Sequence, residues 1–235
     1  AQVSLNDNIR RQVLVAFKLL REWGAPMTMR YYSAYIDLPG IALIMYSPSV
    51  NWGQQADSKS NNFDYPPVRN SAPERNPQRL NTWTEVYFDD KASIWTLSTI
   101  TPIDQHGQWL GTVSQDIAID ALLQRTTEEH GSDSYNLIID GQQRLIAHPQ
   151  LMNKIHRSAG SLQLDKLADP LLHDITQLTQ ALTQWPSVLT SSDGNYYLGV
   201  GRIRGPNWSF ISVYPKALLE GKAFASARSI LIAGL

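Results

Sequence analysis

The chain contains no cysteine. Disulfide frameworks, cysteine-ligated zinc and thiol nucleophiles are excluded together, although a cysteine-free chain fits more than one compartment. No run of about 20 apolar residues occurs, so the sequence holds no complete membrane-spanning helix. Net charge is also lacking: 20 Lys and Arg stand against 21 Asp and Glu, a formal charge of −1 in 235 residues. That balance leaves no electrostatic footprint for nucleic acid or an acidic lipid surface. The five histidines, His106, His130, His148, His156 and His173, show neither His-x3-His nor HExxH spacing. There is no phosphate-cradling glycine loop and no G-x-S-x-G elbow. Gly199-Val-Gly201 falls inside a strand-like run and is followed by Arg202, which is not a dinucleotide fingerprint. No metal, no cofactor and no catalytic group is expected from these residues.

What is present reads as two units, and the length suffices for a sizeable core. Ile9, Val13, Ala16, Phe17, Leu20 and Trp23 recur at helical spacing over residues 6–23. Asn6, Asp7 or Asn8 is available as an N-cap, and Gly24-Ala-Pro26 as the stop. Leu14, Val15 and Leu19 lie off that stripe, so the helix is apolar on more than one face. A shorter helix is predicted around Met27–Ile36, then a buried strand from Gly40 to Tyr46. Residues 47–82 carry six Asn and five Pro and no clear period. Long irregular segments inside a compact domain are uncommon and often functional.

Alternating apolar and polar residues return in Trp83–Tyr87, Ile94–Ile103 and Trp109–Ile117, with a polar turn at Asp104-Gln105-His106-Gly107. A helix over Ala121–His130 is expected to leave this sheet. The second unit begins near Ser134 with a hairpin signal: Tyr135–Ile139, Asp140-Gly141, then Arg144–Ala147. A helical region follows over Leu164–Leu182, with an apolar stripe of Leu164, Leu167, Leu171, Leu172, Ile175, Leu178 and Leu182. Asp193-Gly194 turns between Ser187–Thr190 and Tyr196–Ile203, Trp208–Tyr214 makes a last strand, and Pro215 starts an exit helix. The fold class is α+β: two tandem units, each an antiparallel sheet with flanking helices.

Several phrases carry a family resemblance: PGIALIMY from residue 39, WTEVYFD at 83–89, ITPI before the glycine hairpin, GTVSQDIAIDAL at 111–122, NLIIDGQQRLIAHP at 136–149 and YYLGVGRIRGPNWSFISVYP at 196–215. In this order nearly the whole chain resembles the double Cache sensor domains, the extracytoplasmic input domains of bacterial transmembrane receptors. The resemblance implies a long N-terminal signalling or dimerisation helix over 1–24 and a membrane-distal PAS-like ligand-binding unit over 25–130. It further implies a membrane-proximal PAS-like unit over 131–218 and an exit helix over 219–235 leading into a transmembrane segment.

The amino-acid-binding members carry Arg-x-Trp-Tyr upstream of Trp-Thr-x-x-Tyr-x-Asp, then an Asp in the last strand. Carried onto this sequence, the Arg falls on Arg69, the Tyr and Asp on Tyr87 and Asp89, and the final Asp on Asp116. The two aromatics fall on Ser71 and Ala72, a departure from the pattern. Arg69 would hold a carboxylate by a bidentate guanidinium, and Asp116, Asp89 and Tyr87 an ammonium. With Ser71 in the aromatic's place the pocket is enlarged, or filled by another residue such as Tyr65. Plain structural roles stand beside each of these: a solvated Arg69, an Asp116 supporting the strand end, an Asp89 in a turn, a Tyr87 packed beside Trp83. Trp95 and Trp109 read as packing.

The expected function is periplasmic sensing, on a receptor of the bacterial inner membrane, of a small polar metabolite: an amino acid, an amine or a related zwitterion. The output would be a cytoplasmic GGDEF diguanylate cyclase or histidine kinase module, with a homodimer in the intact receptor. The apolar tail from Ala223 to Leu235 and the start Ala1-Gln-Val-Ser-Leu5 fit an external domain trimmed at both ends, or a mature secreted protein. The alternative is an interaction module with a degenerate pocket that answers a periplasmic partner protein or only dimerises.

Overall fold

The computed structural model describes residues 6–56, 59–122, 134–158 and 160–233. The chain divides into two compact units, Ala1–Ala121 and Leu122–Leu235.

The first unit opens with helix α1 (Asp7–Thr28), capped by Asn6, whose side chain accepts from the Ile9 amide at 2.9 Å. The expected stop at Gly24-Ala-Pro26 is overrun. Gly24 is buried, and a Cβ there would lie 2.4 Å from the Tyr46 ring. The glycine therefore serves close helix–sheet approach and not termination. Pro26 falls in the last turn, where the helix ends anyway two residues later. Ala16 and Leu20, with Val13 and Met27, pack on Ala34, Ile36 and Leu38. Phe17 and Trp23, expected on the buried stripe, are exposed with Leu14, Val15 and Leu19.

The helix predicted around Met27–Ile36 is not formed. Residues Ser33–Leu38 are strand β1, buried along its whole length between β2 (Ala42–Tyr46) and β6 (Gln108–Ala118). Ladder pairing on both sides, with aromatic and β-branched residues at Tyr35 and Ile36, outweighs the local helical reading. Strand β2 is half-buried and lies at the sheet edge. The order is β2-β1-β6-β5-β3, antiparallel throughout, with β3 at Thr82–Trp83, β5 at Ile94–Gln105, and β4 (Tyr87–Asp89) also paired to β5. The β5–β6 hairpin turns through His106 at φ 50° and Gly107 at φ 76°. Two successive positive φ angles match the right-handed twist of the flanking strands.

The segment between β2 and β3 holds two short helices, α2 (Trp52–Gln55) and α3 (Pro66–Ser71), and a 3-10 turn at Asn62–Asp64. Arg79 fastens its end to the hairpin through a two-pronged pair with Asp104 at 2.8 and 2.9 Å, lying over the Trp109 ring.

The second unit is a five-stranded antiparallel sheet in the order β8-β7-β11-β10-β9: β7 Tyr135–Ile139, β8 Leu145–Ala147, β9 Ser187–Thr190, β10 Tyr196–Ile203 and β11 Trp208–Pro215. Helices α4 (Met152–Arg157) and α5 (Pro170–Gln180) lie between β8 and β9, and α6 (Lys216–Ala233) follows β11. The predicted helical region becomes a 3-10 turn at Leu164–Lys166 and then α5, because Asp169 caps the Leu171 and Leu172 amides with Pro170 in the first turn. Leu137, Ile139, Leu145, Leu164, Leu172, Ile175, Leu198 and Ile211 fill the core, each stabilising by roughly 1.5–3 kcal/mol. The helix expected over Ala121–His130 falls largely outside the described residues. Among the described residues no helix is long and apolar enough to cross a membrane.

Candidate functional site

The sheet of the first unit has two faces. Alternation puts Ala34, Ile36 and Leu38 of β1 against α1, and Ser33, Tyr35 and Asp37 on the opposite face. The register sets Ser33 beside Asp116, Tyr35 beside Ser114 and Asp37 beside Thr112. Ser98 of β5 pairs with Asp116 from the other side. Tyr87 and Asp89 of β4 pair with Thr96 and Ile94 of β5 and stand on the same face. This face forms part of the wall of an open cleft of about 1400 Å³, which also reaches Val13, Leu14 and Phe17 of α1 and is lined by Trp52, Phe63 and Tyr65 of the irregular segment. Trp52 meets Tyr65 edge to face at 6.5 Å.

Asp116 is the centre of the sheet face. It is 3% exposed, and three hydroxyls converge on its carboxylate: Ser33 at 2.6 Å, Tyr35 at 2.8 Å and Ser98 at 2.6 Å. The Tyr87 hydroxyl lies 2.9 Å from Ser98 Oγ. Ser98 has one hydrogen and donates it to Asp116, so Tyr87 donates to Ser98. A relay of two hydroxyls thus ends on the acid. Burial raises the Asp116 carboxyl above the usual carboxylate range, and these three hydrogen bonds pull it back. Burial raises the Tyr35 and Tyr87 phenols, and the charge of Asp116 raises them further.

Two more acids share the cleft. Asp89 accepts from the Lys91 and Ala92 amides at 2.9 and 3.0 Å through one oxygen, and burial pushes its carboxyl up to about 6. Asp37 is 3% exposed, and burial pushes it to about 8, with the Asn62 amide lowering it and the Asp116 charge adding to the rise. Asn62 also donates to the Leu38 carbonyl and accepts from the Gly40 amide, both at 3.1 Å, which fixes the irregular segment to the β1–β2 turn. The cations among the described lining residues are Lys59 and Lys91. Trp52 Nε1 and Ser114 Oγ are buried without a hydrogen-bond partner. Among the described residues no three His, Asp or Glu side chains gather to hold a metal ion.

Of the residues singled out from the sequence, Tyr65, Tyr87, Asp89 and Asp116 line the cleft. Arg69 does not: it sits near the end of α3, exposed, with its guanidinium 3.4 Å from the Asp64 carbonyl. Ser71 is buried and donates to the Val68 carbonyl at 3.0 Å, away from the cleft. Both departures follow from α3, whose helical turn between Tyr65 and Ser71 directs 69 and 71 off the cleft. Sequence reasoning missed Ser33, Tyr35, Asp37, Ser98 and Trp52. The signal for β1 was present: Ser33, Tyr35 and Asp37 alternate with Ala34, Ile36 and Leu38 at a strand period.

Neither a protein-family profile nor a curated protein sequence matches this chain. Solved structures do. The ligand-binding domain of the Pseudomonas fluorescens chemoreceptor CtaA, in complex with L-serine, superposes with a TM-score of 0.55 at 16% identity, over 85% of this chain and 78% of that one. That of the Pseudomonas aeruginosa amino-acid chemoreceptor PctB, in complex with L-arginine, gives 0.55 at 15% identity over 90% and 87%. An extracellular domain assigned to a histidine kinase, mmHK1S-Z3, gives 0.58 at 15% identity over 92% and 82%. These neighbours are sensor domains, not enzymes. The chain has the fold of the ligand-binding domains of bacterial chemoreceptors and of histidine-kinase extracellular domains.

Proposed function

We propose that this chain is the periplasmic sensing domain of a receptor in the bacterial inner membrane, and that its first unit binds a small metabolite bearing an ammonium group. The observation that carries this reading is Asp116: a buried carboxylate lining an open cleft, held by three hydroxyl donors. A carboxylate so oriented is prepared for a charge-assisted hydrogen bond from a cation. Asp89, Tyr87 and Tyr65 lie within the same cleft and complete an electronegative lining. The complexes of the structural neighbours with L-serine and L-arginine are in keeping with such a ligand. Arg69, exposed and not lining the cleft, has no part in this binding; Lys91 lines the cleft and is the cation we assign to a ligand carboxylate.

On this reading the first unit is the membrane-distal sensor and the second the membrane-proximal one. The output is a cytoplasmic GGDEF or histidine kinase module, and the exposed apolar residues of α1 form a homodimer contact. Ligand shifts the output only by its differential affinity for two states of the domain. The test is a thermal-shift screen against amino acids, amines, small carboxylates and purines. A ligand at 100 times its dissociation constant stabilises by about 2.7 kcal/mol. A hit with an amine-bearing compound that disappears in Asp116→Ala supports the reading. Silence across the panel, or a hit indifferent to Asp116→Ala, refutes it and returns the weight to an interaction module.

A further inference from the structure

The proposed ammonium site at Asp116 leaves Asp37 unexplained. Aspartate is almost never fully buried unless it is paired, yet among the described residues Asp37 forms no ion pair. Its neutral partner is the Asn62 amide. No feature of the strand demands an acid at this position; an asparagine would fill the same space with no charge to bury. Asp37 nevertheless lines the cleft, and its backbone is held firmly. Gly111 passes so close that a Cβ would lie 2.3 Å from the Asp37 carbonyl oxygen.

Its placement relative to Asp116 is set by the register. Asp116 is opposite Ser33 and Asp37 is opposite Thr112, so the two acids stand on one face, four residues apart along paired strands. At about 3.3 Å per residue their backbones are about 13 Å apart along the strands. Tyr35 and Ser114 occupy the ground between them. Ser114 is completely buried, shares the acids' side of the sheet, and has a hydroxyl without a partner. Leu43 and Met45 of β2, the register partners of Asp37 and Tyr35, also line the cleft. The face therefore runs acid, tyrosine ring, acid, with an apolar margin along one side.

We propose that Asp37 is a second cation-binding carboxylate, and that the cleft takes a ligand with two ammonium groups joined by an aliphatic spacer, one end on Asp116 and the other on Asp37. The inference rests on the reading of Asp116 as the first ammonium site. The spacer crosses Tyr35 beside Met45. Two sources offer this chemistry, a linear diamine and a basic amino acid, and they differ only by a carboxylate.

Calorimetric titration of the whole chain with four probes separates the possibilities. These are n-pentylamine and cadaverine, which differ by one terminal ammonium, and L-norleucine and L-lysine, which differ in the same way. The second ammonium is expected to tighten binding at least tenfold in one series, and that series identifies the source. Asp37→Asn, isosteric and uncharged, is expected to abolish the gain while leaving the one-ammonium member of that series unchanged. Asp116→Asn is expected to weaken every probe. One-ammonium probes that bind through Asp116 with no gain from a second ammonium overturn this inference alone. If no probe binds, it falls together with the function proposed above. Equal weakening of both members of a series by Asp37→Asn overturns it as well.

A second measurement does not depend on the variant's folding. Asp37 must be ionised to receive an ammonium, and with its carboxyl at about 8 it is largely protonated at pH 7. Titration in two buffers of different ionisation enthalpy should then show close to one more proton released by the two-ammonium probe than by its one-ammonium partner. Asp116, Tyr35 and Tyr65 are the titratable groups coupled to its charge, and Asp89, at about 6, faces both members of a pair equally. Equal proton counts refute the second site.

Discussion

Asparagine in place of Asp37 should stabilise the ligand-free protein, and the gain should grow with pH. The folded protein raises this carboxyl from 3.8 to about 8. At about 1.4 kcal/mol per pH unit, ionising it in place opposes folding by on the order of 5 kcal/mol. The unfolded chain releases the proton near pH 4 and the folded protein keeps it until about pH 8. The protonated group's contribution is therefore complete below about pH 4 and is lost progressively as pH rises to about 8. Asp89 acts with the same sign up to about 6. His148 opposes it: burial lowers its imidazole to about 4, so its contribution is regained as pH rises from about 4 to 6.5. The difference between wild type and Asp37→Asn cancels both. Melting followed by circular dichroism from pH 5 to 8.5, without ligand, is the assay. Near pH 5 the two proteins should melt within a few degrees of each other. At pH 8 the variant should melt on the order of 10 °C higher, at about 2–4 °C per kcal/mol for a chain of this size. A variant that melts at or below the wild type at pH 8 would mean that the carboxylate is compensated in the folded state.

Arg69→Ala should change neither stability, within about 0.5 kcal/mol, nor ligand affinity by more than about twofold, as measured by urea melts and calorimetry; a larger loss would bring the guanidinium into the cleft. Gly111→Ala drives a methyl into the Asp37 carbonyl and should cost about 3 kcal/mol or more by forcing β1 from β6, read as a lower urea midpoint. Leu172→Ala opens a cavity in a completely buried site of the second unit and should cost about 2–5 kcal/mol, checked by the same melts.

The two-unit plan was legible because its strands announce themselves locally. His106-Gly107 and Asp193-Gly194 sit between alternating runs, and a turn that needs positive φ leaves its residues in the sequence. Strand β1 was harder to read: its six-residue alternation is brief and follows α1 closely. The sequence just before it reads as helix, and pairing with β2 and β6, remote in sequence, decides in favour of strand for Ser33–Leu38. Losing β1 concealed Tyr35 and Asp37 together. Asp116 was found through the family resemblance, as the match to its last-strand Asp, whereas Ser98 looked like any strand hydroxyl until the β5–β6 register brought it to 2.6 Å. Arg69 was located by counting along an irregular stretch, and a single helical turn at α3 is enough to void such a count.

Strand β1 is six residues long and is read twice. Its odd-numbered side chains, Ser33, Tyr35 and Asp37, belong to the cleft, and its even-numbered ones, Ala34, Ile36 and Leu38, to the contact with α1. A strand has no third side, so substitutions in it sort by parity into those that alter the cleft and those that alter the contact with the helix. On the function proposed above, variation can explore new ligands on one parity while the other keeps the contact with α1. A slip of a single residue in the β1–β6 register would exchange the two roles at once, and it would carry a side chain to the place against the Asp37 carbonyl where only Gly111 now fits.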